Sequence, residues 1–384
     1  MSFSRDLQQK KVLVLGAGVT GLASARALIS RDAQVTIVDD TVTTDSEFSI
    51  LKPSEVTVSD FDFLLISPGW KESHPLIQQA QAAQITLLNE IDLAWAIKEE
   101  RSPGQKWLAL TGTNGKTTTV EMTAAALRAG GVHAVACGNV GKTVIECVDS
   151  AESYDVLVLE LSSFQLHYID AIQPEASALL NIDLDHIDWH GSFEVYAATK
   201  GKIYQNTVTA AVYNRRDART QDLLEKADVV EGCRAIGFSV GVPGPSDIGY
   251  SEDILCDRAF LDNRYHEALE VATFEDIAEI GVVTPHLLAN VAAATALARS
   301  CGAEPADIRS AIRSFKLDKH RIELVAVHNG ISWIDDSKAT NPHATNASLE
   351  SFEHVVWIVG GLLKGVDIAP LVQSHSSRLR GAVV

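Results

Sequence analysis

The chain is short of positive charge, of paired cysteines and of long apolar runs. Across 384 residues, 32 Lys and Arg stand against 50 Asp and Glu, for a formal net charge of −18. That balance argues against nonspecific binding to nucleic acid or to an anionic membrane surface, and any anionic ligand must be met by local cations. The five cysteines, at 137, 147, 233, 256 and 301, form no CxxC and no paired zinc spacing. A disulfide framework is therefore not expected, and a cytoplasmic location is. No uninterrupted apolar run approaches the roughly 18 residues of a membrane span, so membrane insertion is not expected. Residues 5–25 imitate a signal peptide, with Lys10-Lys11 before an apolar stretch and Ala23-Ser24-Ala25 as a false cleavage site. A strand, a glycine turn and a helix is the preferred reading, because Arg26 and Arg31 continue an amphipathic helix.

What is present is alternation. Between 11 and 97, short β-rich runs (KVLVLG, QVTIVD, FDFLLISPG, QITLLN) alternate with helical stretches, the pattern of a parallel sheet with crossover helices. KEERSPGQ at 98–105 reads as a linker. A second βαβ pattern starts at KWLALTG and runs through YDVLVLELSSFQL, ASALLNIDLDHIDWH and TAAVYN. Shorter β-like runs follow over 233–275, and a helix is expected over 285–300. From about 318 a third pattern begins, with strand-like IELVAVHNGISWIDDSKATN and HVVWIVGG and a helix between them. The last residues, RLRGAVV, read as a buried strand. Three α/β regions result: 1–100, 101–317 and 318–384, the last thin enough to be expected as a partial domain.

Two glycine loops compete for attention. Gly16-Ala17-Gly18-Val19-Thr20-Gly21 is a full GxGxxG after a strand, with Asp39 and Asp40 near the distance of a ribose-binding acid. Alone it points to NAD. The second, TGTNGKTTT, lacks the first glycine of a Walker A loop, because Leu110 stands there. It keeps Gly112, Gly115, Lys116 and Thr117, whose backbone N–H groups, ammonium and hydroxyl suit ATP phosphates and Mg²⁺. Glu160, at the carboxyl end of a buried strand, suits the same ion. Asp183, Asp185, His186, Asp188 and His190 crowd the segment after another strand, without the HExxH of a zinc protease. Lys200 and Lys202 read from spacing alone as ordinary exposed lysines.

TGTNGKTTT, LELSSFQL, DHIDWH, YAATKGKIY, HRIE, DSKATN and VGGLLKGVD stand in an order that resembles the Mur ligases. SSFQL and DSKATN are most similar to the D-glutamate-adding branch. The resemblance spans nearly all of 11–384. It implies a Rossmann-like N-terminal domain for the UDP substrate, a central P-loop ATPase and a Rossmann-like C-terminal domain that brings the amino acid. The implied reaction activates the L-alanine carboxylate of UDP-N-acetylmuramoyl-L-alanine with ATP, giving an acyl phosphate that D-glutamate attacks. Gly112, Thr113, Asn114, Gly115, Lys116, Thr117 and Thr118 would cradle the phosphates, and Asn290, Arg321 and Asp336 would contact ATP. Thr117 and Glu160 would hold one Mg²⁺, and His186 would help to hold a second. Lys200 matches the family's carbamylated lysine, which replaces the exposed-lysine reading. Val19, Thr20, Asp39, Asp40, Ser67 and Gly69 would form the uridine-side pocket, and Asn139, Ser162 and His186 would meet the reactive end of that substrate. Lys338, Thr340 and Lys364 would line the amino-acid side. A monomer is expected.

Departures accompany the resemblance. His286 is followed by Leu287 rather than Asn, and Asp40-Thr41 stands where some members carry an arginine. The serine- and phenylalanine-containing stretch that closes the family's amino-acid site falls after 384. The competing readings are a sister Mur ligase or folylpolyglutamate-type ligase, an NAD-linked oxidoreductase built on GAGVTG, and a noncatalytic nucleotide-binding regulator. The oxidoreductase has no hydride-transfer site to accompany it.

Overall fold

The computed structural model describes residues 7–42, 44–170, 172–317, 320, 322–339, 341–361 and 367–384. The first apolar run becomes β1 (Lys11–Leu15), whose Val12 to Leu15 are all fully buried. It is followed by β2 (Gln34–Val38), β3 (Ile50–Leu51), β4 (Phe63–Ile66) and β5 (Thr86–Asn89). Every pair is parallel, in the order β3-β2-β1-β4-β5. A parallel sheet is covered on both faces, which is why β1 reads as an unbroken apolar run rather than an alternating one. Each such side chain contributes roughly 1.5–3 kcal/mol on burial. Neighbour order reverses at β1, so a crevice opens beside its carboxyl end.

The stretch 98–105 is not simply a linker. The helix Glu90–Arg101 runs through its first half, and only 102–105 separate that helix from the next strand. Lys98 is buried there, its ammonium 4.3 Å from the centroid of the Trp95 ring and bonded to the Pro103 carbonyl at 3.2 Å. The long apolar stem explains how a charged run stays helical.

The second sheet comprises β6 (Lys106–Thr111), β7 (Ala134–Gly138), β8 (Val156–Glu160), β9 (Ala176–Leu179), β10 (Ala210–Asn214), β11 (Arg234–Phe238), β12 (Asp247–Ser251), β13 (Ile254–Asp257) and β14 (Leu269–Thr273). Its order is β14-β13-β12-β11-β10-β9-β6-β8-β7, parallel except where β12, β13 and β14 pair antiparallel. The expected helix is Pro285–Ser300, started by the Thr284 side chain and by Pro285 in the first turn. It shares a core with the helix Lys116–Ala129 on one face of the sheet. β6 lies between β8 and β9, so this sheet also reverses direction beside its first strand.

The two regions are joined by a common apolar cluster that runs from Val12 and Leu28 to Trp107, Val144 and Leu157. Arg31 grips Asp149 with two hydrogen bonds, of 2.8 and 3.1 Å, across the same boundary.

The last region differs from its expectation. β15 (Glu323–His328) and β16 (Ile331–Asp335) pair antiparallel, whereas β17 (Val355–Ile358) and β18 (Leu379–Val383) form a separate parallel pair. Asn329 and Gly330, at φ 50° and 75°, make the tight turn that folds β15 back on β16. The described residues thus show two two-stranded sheets instead of one Rossmann-like sheet. RLRGAVV does form a strand, but not a buried one: Val383 is 55% exposed. Among the described residues no helix is long and apolar enough to cross a membrane.

Candidate active site

β6 delivers the chain to Gly112–Gly115 at the reversal point, and the helix Lys116–Ala129 starts at once. Gly115 has φ +82°, and a Cβ there would lie 2.3 Å from Asn290 Oδ1. Only glycine fits that position, and Asn290 is thereby set against the loop. The loop is braced by Asn181, just beyond β9. Its Oδ1 accepts the Thr113 and Asn114 N–H groups at 3.1 and 2.8 Å, and its Nδ2 donates to the Asn114 carbonyl at 3.0 Å. Asn181 is not among the residues singled out in the sequence. An asparagine directly after a strand at a reversal point was the available signal.

Lys116 Nζ donates to the carbonyls of Gly112 and Thr113, each at 2.9 Å. Thr117 Oγ1 donates to Glu160 Oε2 at 2.9 Å, and Asn139 Nδ2 donates to Glu160 Oε1 at 3.1 Å. Glu160 is 2% exposed. The helix after β6 and the turn after β7 therefore converge on the carboxylate that ends β8, at the strand ends where the crevice is expected. Gly138, at φ +101°, makes this possible, because a Cβ there would sit 2.6 Å from the Glu160 carbonyl oxygen.

Lys200 is 2% exposed, although a helix surface was the reading from spacing alone. Its Nζ reaches Gly112 O at 2.9 Å and Thr111 Oγ1 at 3.3 Å, and lies 5.0 Å from the centroid of the Tyr196 ring. Lys116 and Lys200 thus share the Gly112 carbonyl. Burial first, and the Lys116 charge second, push the Lys200 ammonium well below the usual lysine value, against the opposite pull of Asp185 and Glu160. Tyr196, also missed, completes the wall: its hydroxyl lies 3.0 Å from Thr113 Oγ1, which in turn accepts the Asp183 N–H at 2.9 Å.

The DHIDWH segment divides. His186 has φ +51° and a side chain 46% exposed, against the Phe164 ring and 3.5 Å from Asp185. His190 is buried, with Nε2 3.0 Å from Ser163 Oγ, and burial leads the effects that push it down to about 4. It is neutral at pH 7. Ser162 starts the helix Ser163–Tyr168, and it exchanges hydrogen bonds with Gln165 in a reciprocal cap.

At the first sheet's crevice, Gly16 has φ +104° and Gly21 packs so closely that a Cβ would meet the Gly16 carbonyl oxygen at 1.9 Å. Val19 is 71% exposed at the helix start, with Thr20 beside it. Asp39 accepts the Ala17 N–H at 2.8 Å, and also Thr41 and Val42. Burial pushes its carboxyl up, but those donors outweigh it and hold the group below the usual carboxylate value. Asp40 is exposed and faces His74 at 3.6 Å. Ser67 is buried with no partner for its hydroxyl among the described residues. Gly69 accepts the Trp189 indole N–H at 3.2 Å, and Lys71 reaches the Asp188 carbonyl at 3.0 Å. The loop at 67–71 and the DHIDWH segment are in direct contact.

In the last region, Asp336 accepts the Ile322 N–H at 3.1 Å and the Ser348 hydroxyl. Lys338 is exposed. Asn341, not singled out in the sequence, donates to Asn114 Oδ1 at 3.2 Å and so touches the phosphate loop. Arg321, Thr340 and Lys364 lie outside the described residues. His320, Glu323 and Asp335 place one ligand atom each within 4.8 Å of one another, and neither Glu160 nor His186 belongs to that group.

Two glycine loops at two reversal points, the second with two lysines and a carboxylate, define an α/β protein with two crevices of the kind in which such sheets take ligands. Comparison with known proteins carries this further. Residues 110–298 match the Mur ligase middle domain, and residues 10–89 match the Mur ligase MurD-like N-terminal domain. The chain is 46% identical to UDP-N-acetylmuramoylalanine–D-glutamate ligase of Leifsonia xyli subsp. xyli, over 100% of this chain and 79% of that protein. It is 44% identical to the ligase of the same name from Streptomyces coelicolor, over 99% and 82%. A crystal structure of MurF from Acinetobacter baumannii shares the fold, with a TM-score of 0.58 at 16% identity over 99% of this chain and 83% of that one. The chain belongs to the Mur ligase family, and within it to the MurD group.

Proposed function

We propose that this protein uses ATP to join D-glutamate to UDP-N-acetylmuramoyl-L-alanine, releasing ADP and phosphate, as a step in peptidoglycan precursor synthesis. The observation that carries the reading is the meeting of Lys116 and Lys200 on the Gly112 carbonyl, with Glu160, Thr117 and Asn139 beside the same loop. The names of the MurD relatives, with SSFQL and DSKATN, support D-glutamate as the amino acid.

A carboxylate is a poor electrophile and must be activated before an amine can attack it. In the first step the L-alanine carboxylate oxygen attacks the γ-phosphorus, and ADP leaves. Lys116 and the Thr113–Thr118 backbone offset the charge on the transferring group. In the second step the D-glutamate nitrogen attacks the acyl carbon, phosphate leaves, and the amine proton passes to solvent or base. Asn181 keeps the loop in shape throughout, because it holds two successive N–H groups and one carbonyl.

A hydroxyl and a carboxylate suit a hard cation, so Thr117 and Glu160 fit Mg²⁺. Bound there, Mg²⁺ would supply charge compensation at the phosphates. Lys200 fits carbamylation, because burial beside a second amine favours its neutral, CO₂-reactive form. His186 and a carbamate on Lys200 are the candidates to hold a second ion. Asn290, Asp336 and Arg321 are assigned to ATP, and Lys338, Thr340 and Lys364 to D-glutamate. Val19, Thr20, Asp39, Asp40, Ser67 and Gly69 are assigned to the uridine end, with Asn139 and Ser162 towards the acyl end. The three regions 1–100, 101–317 and 318–384 then act as UDP-substrate, ATP and amino-acid domains of a cytoplasmic monomer.

The test is phosphate release from ATP with UDP-N-acetylmuramoyl-L-alanine and a panel of amino acids. Turnover with D-glutamate and little with L-glutamate or L-lysine is expected. Equal turnover across the panel, or none in folded full-length protein, overturns the assignment.

A further inference from the structure

Glu90 is an acid that the reaction above does not use. It opens the helix Glu90–Arg101 directly after β5, and it is 2% exposed. A carboxylate so deep costs stability unless donors surround it. Those donors come from the neighbouring region. Glu90 Oε1 accepts the Ile145 N–H at 3.0 Å, and the Val144 N–H and the Gln165 side chain also face the carboxylate.

Gln165 is the informative partner, because a primary amide has two different ends. Its oxygen accepts the Ser162 N–H at 2.9 Å and the Ser162 hydroxyl at 3.0 Å, which leaves its nitrogen end for Glu90. Turning the amide over would spoil the Ser162 bonds and set an oxygen towards the Glu90 carboxylate. Glu90, Gln165 and Ser162 therefore form one polar chain from the first sheet region to the turn assigned above to the acceptor. A small cavity lined by Pro68, Glu90, Phe164 and Gln165 lies along it. We propose that Glu90 is a positioning residue for the acceptor: its carboxylate, reaching in from the first sheet region, orients the Gln165 amide and through it the Ser162 turn. The assignment rests on the acceptor reading of Ser162.

The same group titrates in a useful range. Burial, aided by the Glu146 charge on the helix Val144–Asp149, pushes Glu90 up to about 7 against the pull of its donors. The thiols of Cys137 on β7 and Cys147 on that helix also face it. Once protonated, the carboxyl is itself a donor and gives up part of its capacity to accept. The Gln165 amide then loses the charged acceptor at its nitrogen end and is held from the Ser162 end alone.

Glu90→Gln mimics the protonated form at every pH. The KM for UDP-N-acetylmuramoyl-L-alanine is expected to rise about tenfold, the worth of one hydrogen bond to a charged group. The KM for ATP is expected to stay within about twofold, on the same scale. In the unmodified protein the acceptor KM rises as pH falls from 8 to 6, and in Glu90→Gln that slope disappears. Gln165→Leu, which cuts the chain but keeps the acid, gives the same rise should Glu90→Gln not fold. Unchanged acceptor KM and an unchanged slope in folded Glu90→Gln overturn the proposal. Amide exchange at Ile145 and Ser162 separates it from the functional reading. Faster exchange in Glu90→Gln without ligase turnover in either protein overturns the acceptor reading alone, whereas unchanged exchange overturns the strut itself.

Discussion

The loop at 16–21 and the loop at 112–116 are built by the same rule and end up with opposite electrostatics. Each follows a buried parallel strand at a reversal point, and each uses a glycine with positive φ. At the first, an acid, Asp39, takes up the Ala17 N–H, and no lysine enters the loop. At the second, two amines gather on one carbonyl, and the nearest carboxylate is occupied by a hydroxyl and an amide. Glycine spacing therefore reports a tight turn and close backbone approach, whereas the charges at the strand ends report what is bound. That is why GAGVTG alone suggested NAD, and why its company alters the reading.

The comparison breaks most sharply at Lys116. Lys116→Ala should lower kcat by about a thousandfold, as loss of a group that stabilises transferring phosphoryl charge does, with acceptor affinity little changed. Phosphate release and a binding titration with the UDP-linked acceptor check both halves. Lys200→Ala comes next, with a loss on the order of a hundredfold that short-chain carboxylic acids partly restore; full activity in that variant would remove the carbamate from the mechanism. The sign of the pH effect follows from the burial of Lys200. The folded state binds fewer protons there than the unfolded chain, so this group makes stability rise with pH towards the ordinary lysine value. Lys200→Met should flatten that rise in denaturant titrations at several pH values. The smallest effects belong to the glycines. Gly21→Ala, pressed on the Gly16 carbonyl, should cost about 1–3 kcal/mol of stability and raise the acceptor KM. Gly115→Ala should act on the ATP KM instead. Reversed pairing of those two effects would erase the distinction between the loops.

Much of this was legible in advance, and for a physical reason. Parallel strands buried on both faces leave apolar runs, and the residue after each run stands at the crevice, which located Lys116, Thr117 and Glu160. The Pro285–Ser300 helix carried its own start signals. What escaped was whatever depends on partners far along the chain. Lys200 looks exposed until β6 is placed beneath it, and Asn181 matters only because it meets Thr113 and Asn114, some 68 residues earlier. Glu90 reads as an ordinary first-turn acid until Ile145 and Gln165 close over it. The hairpin at Asn329-Gly330 is a different kind of miss, because the dipeptide was visible and went unused.

The separate sheets of the last region have a consequence for how molecules meet one another. Among the described residues both outer edges of each two-stranded sheet are unpaired, and Val325, Val327, Ile331, Trp333, Val356 and Ile358 are all more than half exposed on the two pairs. Such surfaces are adhesive between copies. A charge of −18 supplies the opposing long-range repulsion, which is screened as the Debye length falls to about 3 Å in 1 M salt. The acidic composition that argued against nucleic acid thus acts as the colloidal stabiliser of these open strands, and high salt, by weakening it, favours their self-association.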